Sequence, residues 1–270
     1  MKLPISLVVI TLNEEKNLAR CLASASFCND IVVLDSESID QTKKVAESCG
    51  ARVFTESWRG FGVQKQRAVE LAAHEWVLCL DADEVLSPAL SQEIQNKFTS
   101  LQAEVAYQIP RKSFYLGRWI LHGGWYPDYQ LRLFHRKHWQ WDAAEIHEKV
   151  RPQEGAESAG VKMFSSDIEH YVFQDVAHHV ATNNRYSSLQ AEQYRIQGGR
   201  FSLMKLIVKP ASKFLECYIW KLGFLDGLAG FVIAIGAAYS VFIRWAKIWQ
   251  MSQNSAQAEQ KLLGRGPHKT

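Results

Sequence analysis

Over the first hundred residues, short apolar runs alternate with stretches of helical spacing. Residues 5–12 form a continuous β-rich run, which predicts a strand covered on both faces. Asn13 follows it, placed to cap a helix, with Glu14 and Glu15 in the first turn. Residues 31–34 and 76–80 predict two more buried strands, and 51–54 predicts a further strand. Between them, Asp40 caps a helix over 41–48, and Gly50 supplies its stop. Val63, Arg67 and Leu71 mark a helix over 63–74, and Pro88 opens another. This β-α-β-α-β-α-β order implies an α/β fold with a parallel, twisted sheet and helices on both faces.

The pattern then changes. Residues 104–174 are rich in aromatics and carry short strand-like pieces at 105–109, 130–135, 146–150 and 168–173. Gly123, Gly124 and Pro127 punctuate them, so the sheet is expected to continue in mixed direction with long loops. Residues 175–199 read as a helix. Beyond it, Lys205, Lys209 and Lys213 recur every four residues on one helical face, with Leu203, Leu206, Ile207, Phe214 and Leu215 largely elsewhere. Residues 222–243 then carry one charge, Asp226, among several glycines. The run is long enough to cross a bilayer, but an interfacial, re-entrant or docking segment suits the charge and glycines better. The expected division is a catalytic domain over 1–174, a helical membrane-associating region over 175–250 and a flexible tail over 251–270.

Composition narrows the partners. The chain has 270 residues, 47% hydrophobic and 22% charged, which excludes a disordered or collagen-like protein. A net charge of +3 is too small to imply nucleic acid binding. The charge is uneven, however. Nine Lys or Arg against three acids lie within 185–249, leaving an acidic body and a basic, apolar end. That asymmetry points to an anionic membrane surface. Five cysteines without C-x-x-C spacing favour a reducing compartment, and Cys79 reads as a small buried hydrophobe. The charges from Glu14 to Lys16 follow the first apolar run too soon for a signal peptide, which predicts a cytoplasmic protein.

Three predicted strands end in polar residues. Thr11-Leu12-Asn13-Glu14 follows the first, Asp35 closes the second, and Asp81-Ala82-Asp83-Glu84 closes the fourth. Ligands of open α/β sheets bind beyond such carboxyl ends. Clustered carboxylates repel one another unless a divalent cation or a set of donors offsets them, and hard oxygens suit Mg²⁺ or Mn²⁺ shared with phosphates. Ser38 and Asp40 read as helix-start caps. The D-x-D string also matches the opening motif of haloacid dehalogenase-type phosphatases, but it lies on the fourth strand and lacks the later acidic pair.

In order and spacing, Thr11–Glu15, Asp35–Thr42, Gly60–Lys65 and Asp81–Glu84 resemble family-2 glycosyltransferases of the GT-A fold. Gly124–Asp128, Arg132–Phe134, Ile146–Glu148, Lys209-Pro210 and Gly223–Gly227 extend the resemblance to the lipopolysaccharide core β-1,4-glucosyltransferases of the WaaE/KdtX type. Gln66-Arg67 stands where such relatives often place an Asn. The resemblance implies a Rossmann-like, mostly parallel sheet flanked by helices, followed by the helical membrane-associating region. It implies an inverting transfer of a hexose, glucose from UDP-glucose, to a lipid-linked saccharide at the cytoplasmic face of the bacterial inner membrane.

By the same resemblance, Thr11, Asn13, Glu14, Asp35, Lys65, Asp81 and Arg132 bind the nucleotide sugar. Asp35 reads the uracil or ribose, Asp81 the ribose, and Arg132 the diphosphate or an acceptor phosphate. Asp83 ligates Mg²⁺ or Mn²⁺, with His147 as a further metal or diphosphate ligand. A carboxylate base is needed for a hydroxyl acceptor, and Glu148 is the first choice, Asp128 the second and Glu145 the third. Trp119, Trp125 and Tyr126 are candidates for sugar stacking, with packing as the default. The alternatives are a polyprenyl-phosphate glycosyltransferase of the same fold, whose ionised acceptor needs no base, and a non-catalytic nucleotide-sugar-binding protein.

Overall fold

The computed structural model of the chain describes residues 2–143, 148–157 and 160–263, with side chains as far as residue 254. It divides into two units, each described separately below. The first comprises residues 1–113 and 127–172, the second residues 114–126 and 173–270.

The first unit opens with β1 (Leu3–Thr11), α1 (Leu18–Ser24), β2 (Cys28–Asp35), α2 (Thr42–Ser48), β3 (Arg52–Thr55), α3 (Phe61–Glu70) and β4 (Trp76–Asp81). These are the four strands and three helices that the hydrophobic pattern predicts. After β5 (Glu84–Leu86) and α4 (Pro88–Lys97) come β6 (Ala106–Tyr115), β8 (Asp128–His135), β9 (Trp139–Trp141), β10 (Val150–Pro152), β11 (Val161–Met163) and β12 (Ile168–His170), while β7 (Arg118–Ile120) falls within the segment of the second unit. The main sheet runs β3-β2-β1-β4-β8-β6-β12-β5. The pairs β3/β2, β2/β1 and β1/β4 are parallel, and β8 enters antiparallel between β4 and β6. It is the mixed, helix-flanked sheet expected of a GT-A-type fold.

Both faces of β1 are covered, which is why residues 5–12 read as unbroken hydrophobicity. Ile5, Leu7 and Val9 pack with Leu18, Leu22, Leu90 and Ile94 of α1 and α4. Val8 faces Ala68 and Val69 of α3, with Cys79 and Phe134. Burial pushes the Cys28 thiol up to about 12 and that of Cys79 to about 11, so both behave as small hydrophobes.

Two capping expectations fail, for one reason. Asn13 caps no helix. It takes φ of 56°, which Asn tolerates, and its Oδ1 accepts Ile39 N at 3.0 Å, while α1 begins at Leu18. Ser38 likewise turns back, and its Oγ accepts Asn13 N at 2.8 Å. Both polar side chains stitch two loops together. Asp40 precedes the N-cap Gln41, and its carboxylate accepts Thr42 N, the first amide of α2, at 2.9 Å.

The second unit contains the segment 114–126, α5 (Val176–Ile196), α6 (Leu203–Leu215) and α7 (Gly227–Leu263). Ser202 caps α6 by accepting Lys205 N, and no residue of α6 is buried. α7 continues past residue 251, the expected start of the flexible tail, as far as Leu263. Leu228, Phe231, Ile235, Tyr239, Phe242 and Trp249 stand exposed along it at spacings of three, four or seven, on one face. The stretch Gly223–Asn254 is long and apolar enough to cross a membrane, its most apolar 18 residues having a mean hydropathy of 1.8. Trp125 stacks on Tyr115 at 5.8 Å and Trp119 meets Phe114 edge-on at 5.1 Å, so both pack against aromatics of this unit.

Candidate active site

Parallel pairing brings three strand ends to one edge of the first unit. Thr11 sits opposite Asp35 of β2, and its neighbour Ile10 sits opposite Asp81 of β4. Thr11 Oγ1 donates to Asp35 Oδ1 at 3.2 Å, and Asp35 Oδ2 accepts Ser38 N at 2.9 Å. Asp35 is fully buried. It lies beneath the surface of the strand ends. Its carboxylate fixes the turn after β2.

The second turn of α3 carries Lys65, 7% exposed, into the sheet edge. Its ammonium lies 2.9 Å from Asp81 Oδ1 and 2.9 Å from Glu148 Oε1, and 4.9 Å from the Trp141 ring centroid. Burial alone would depress the Lys65 pKa. The Asp81 and Glu148 charges outweigh it and hold the ammonium above its usual value. Asp81 Oδ2 takes Arg132 Nη2 at 2.5 Å. Burial disfavours the Asp81 charge, but Arg132 first and Lys65 second keep its carboxyl well below the usual carboxylate range.

Behind Asp81 lies a second carboxylate. Glu84 is wholly buried and accepts Arg132 at 2.6 Å and Arg111 at 2.7 Å. Arg111 also reaches Asp128 Oδ2 at 2.6 Å, and Gln130 donates to Asp128 Oδ1 at 2.8 Å. One network therefore joins three cations, Lys65, Arg111 and Arg132, to four carboxylates, Asp81, Glu84, Asp128 and Glu148. Arg132 is 2% exposed and clamped by two of them, so it does not present its fork to a phosphate here. Its Nε is buried without a hydrogen-bond partner among the described residues.

Asp83 stands apart from the network on the same turn. Its Oδ2 lies 3.2 Å from His170 Nε2, and the other ring nitrogen of His170 lies 3.4 Å from Ser113 Oγ. Burial raises the Glu14 pKa, and the Asp83 and Asp40 charges add to that rise, which marks this rim as anionic. Asp83 and His170 offer one carboxylate oxygen and one imidazole nitrogen, a donor pair that suits Mn²⁺ or Mg²⁺ completed by phosphate and water. Among the described residues no group of three or more His, Cys, Asp or Glu side chains is placed to hold a metal. His147 and Glu145, expected as ligand and third-choice base, lie outside the described residues.

Of the expected site residues, Lys65, Asp81, Arg132 and Glu148 come together, and Asp128 joins them through Arg111 and Glu84. Asn13 and Glu14 reach the rim, and Thr11 and Asp35 lie buried beneath it. Sequence reasoning missed His170 and Arg111. The strand 168–173 was visible, but nothing in it signalled that His170 pairs with the β4–β5 turn. That pairing follows from β12 joining β5, with His170 opposite Glu84.

The model of Glycosyl transferase family 2 matches residues 6–155. The lipopolysaccharide core biosynthesis glycosyltransferase LpsC of Rhizobium meliloti is 31% identical over 260 residues, covering 92% of this chain and 93% of that protein. An uncharacterized glycosyltransferase of Rickettsia typhi is 31% identical over 258 residues, covering 93% of this chain and 88% of that protein. Among solved structures, glucosyl-3-phosphoglycerate synthase of Mycobacterium tuberculosis with Mn²⁺, UDP-glucose and phosphoglyceric acid is 26% identical. That match covers 42% of this chain and 44% of the synthase, with a TM-score of 0.32.

Proposed function

The chain belongs to glycosyl transferase family 2 and is a nucleotide-sugar-dependent glycosyltransferase; on that premise we propose that it moves glucose from UDP-glucose, with inversion, onto a lipid-anchored saccharide, the heptose/Kdo inner core of lipopolysaccharide. The acceptor class is supported by the name of the Rhizobium relative, which matches this chain over nearly its whole length. The observation that carries the chemistry is the single Lys65 ammonium shared by Asp81 and Glu148. It ties the donor edge of the sheet to the carboxylate that this reading takes as the base.

In this reading, Asn13 and Asp81 meet the nucleoside at the strand ends, and Lys65 and Arg132 hold Asp81 from behind. Asp83 and His170 would hold a divalent cation, which supplies Lewis-acid neutralisation of the departing diphosphate. Lys65 fixes Glu148 through Oε1, and Oε2 has no partner among the described residues. Oε2 takes the proton of the acceptor hydroxyl as its oxygen attacks the anomeric carbon. The attack comes from the face opposite the diphosphate, whose bond breaks with its electron pair leaving on UDP. One displacement inverts the centre. Asp128, held by Arg111, binds the acceptor.

The second unit docks the enzyme on the cytoplasmic face of the inner membrane. Exposed apolar residues of α6 and α7, beside Lys205, Lys209 and Lys213, supply an amphipathic surface for anionic lipid. The test is a panel of UDP-sugars with truncated inner-core lipopolysaccharide in mixed micelles. Radiolabel transfer from UDP-glucose, lost on chelation, is the expected result. Transfer to polyprenyl phosphate alone, or UDP binding without any transfer, overturns the proposal.

A further inference from the structure

Within the second unit, α5, α6 and α7 enclose a groove of about 940 Å³. Its α6 wall carries Lys205, Lys209 and Lys213, one helical turn apart, and its α7 wall carries Arg244. Glu216 is the one acid among the lining residues, and it is already engaged by Lys213 at 3.1 Å and Lys221 at 2.6 Å. The other cations face no carboxylate among the described residues. Lys205 lies over the Trp245 ring at 5.3 Å, and Arg244 Nη1 donates to the neutral Gln190 amide at 3.1 Å. Among the described residues the remaining donors of Arg244 meet no other acceptor. Between these charges the walls are apolar, formed by Met204, Val208, Ala237 and Val241.

We propose that this groove holds one anionic phospholipid of the bilayer. Its phosphate lies against Lys205, Lys209 and Arg244, and the start of an acyl chain runs along Met204, Val208 and Val241. Charge complementarity sets the headgroup, because three cations lacking an acidic partner among the described residues line one concave wall, where charges of a single sign focus their attraction for an anion. Size sets the rest. The volume lies near the top of the range for small-molecule sites and far exceeds what a phosphate fills. The exposed apolar faces of α6 and α7 continue the groove wall outward, toward the acyl layer the lipid comes from. The inference rests on the membrane-docking part of the proposed function and deepens it. A seated lipid gives a saturable site, where diffuse attraction to a charged surface does not.

The test titrates the full-length chain by calorimetry with dihexanoyl-phosphatidylglycerol below its micelle concentration, against dihexanoyl-phosphatidylcholine and inorganic phosphate. One phosphatidylglycerol per chain is expected, with each of the other two probes about tenfold weaker or more. Lys209→Gln combined with Arg244→Gln weakens phosphatidylglycerol binding by about tenfold or more. Ser212→Trp, an exposed position at the groove, abolishes it by bulk while leaving every charge, and so leaves flotation on anionic vesicles intact. Circular dichroism and UDP binding establish that each variant is folded. Equal binding of phosphatidylcholine, a match by inorganic phosphate, or indifference to both variants overturns the proposal. Flotation on phosphatidylglycerol vesicles without short-chain lipid binding overturns the groove alone, and absence of flotation removes membrane docking as well.

Discussion

Arg132 Nη2 sits 2.6 Å from Glu84 Oε1, and the two side chains are 3% and 0% exposed. The same oxygen accepts Arg111, so one buried carboxylate is shared by two guanidinium groups beneath the sheet edge. Asp81 and Asp128 supply the other negative charges that the two arginines meet. Removing one partner of a buried pair leaves an uncompensated charge, which costs about 3–5 kcal/mol. Glu84→Gln is expected to lose stability on that scale, read as a midpoint shift in urea or heat. A variant as stable as the parent would mean the pair is solvated in solution.

Glu148 and Lys65 make separable contributions to the reaction. Glu148→Gln is expected to lower kcat by about 10²–10⁴-fold, the range for loss of a positioned base, with UDP affinity nearly unchanged. Lys65→Met removes the ammonium that both Asp81 and Glu148 lean on, so it should weaken UDP binding and turnover together. Full turnover by Glu148→Gln would point to an acceptor already ionised, as a polyprenyl phosphate is.

His170 extends the cation reading beyond the D-x-D string. Chelation is expected to abolish transfer, and Mn²⁺ to restore it. His170→Ala should raise the Mn²⁺ concentration for half-activity by roughly 10–100-fold, the loss that even supporting partners of a metal site produce. Asp83→Asn should do the same or more. An unchanged Mn²⁺ requirement in His170→Ala would confine that histidine to packing against Ser113.

How much of this was legible in the chain depends on the range of each interaction. β1, β2 and β4 announced themselves because both faces of the sheet are covered there, leaving runs such as 76–80 with no polar interruption, whereas β3 is a half-exposed edge strand. The strand-end motifs were equally visible, since Thr11, Asp35 and Asp81 come to one edge by parallel register alone. What each side chain does there was not visible. Whether Asp35 faces a ligand or the turn after β2 depends on Ser38 N lying within 2.9 Å, a contact that spacing cannot report. Arg111 and His170 escaped notice because β6 and β12 join the sheet out of sequence order, and each residue owes its role to partners at least 17 positions away. Asn13 looked like a cap because the residue type suits one, and the demand of a neighbouring loop won.

Glu93 provides a test in acid. Burial opposes its charge, but Lys97 at 2.7 Å and the Ser165 and Ser166 donors outweigh that and bring its pKa from 4.5 down to about 2. A carboxyl depressed in the folded state stabilises fully above its unfolded pKa and loses that contribution as pH falls toward the folded one. The advantage of the parent over Glu93→Gln should therefore be constant between pH 6 and 7, at about 1–3 kcal/mol, and shrink from about pH 4.5 downward. Urea midpoints of both proteins at pH 7, 5 and 3.5 measure it. A gap that widens in acid would assign Glu93 the opposite sign.

Asp226 was the charge that argued against a simple membrane span, and the second unit gives it an occupation. It is 1% exposed, and its carboxylate accepts Leu121 N at 3.2 Å, His122 N at 2.8 Å and His122 Nδ1 at 3.1 Å. Its own carbonyl accepts Arg118 Nη1 at 2.9 Å. One side chain thus satisfies two backbone amides of the segment 114–126, and a truncation leaves both without a partner. Each orphaned amide costs about 1–3 kcal/mol locally. Asp226→Ala is expected to speed hydrogen exchange at Leu121 and His122 by roughly 10–100-fold, because each 1.4 kcal/mol is a factor of ten. Asp226→Asn should lie between the two, since it keeps one acceptor oxygen but turns an amide N–H toward donors. UDP binding, which belongs to the first unit, should be unaffected in either variant. Unchanged protection in Asp226→Ala would mean that this segment is held by its aromatic packing, with Tyr115 on Trp125, and that the buried carboxylate is dispensable to it.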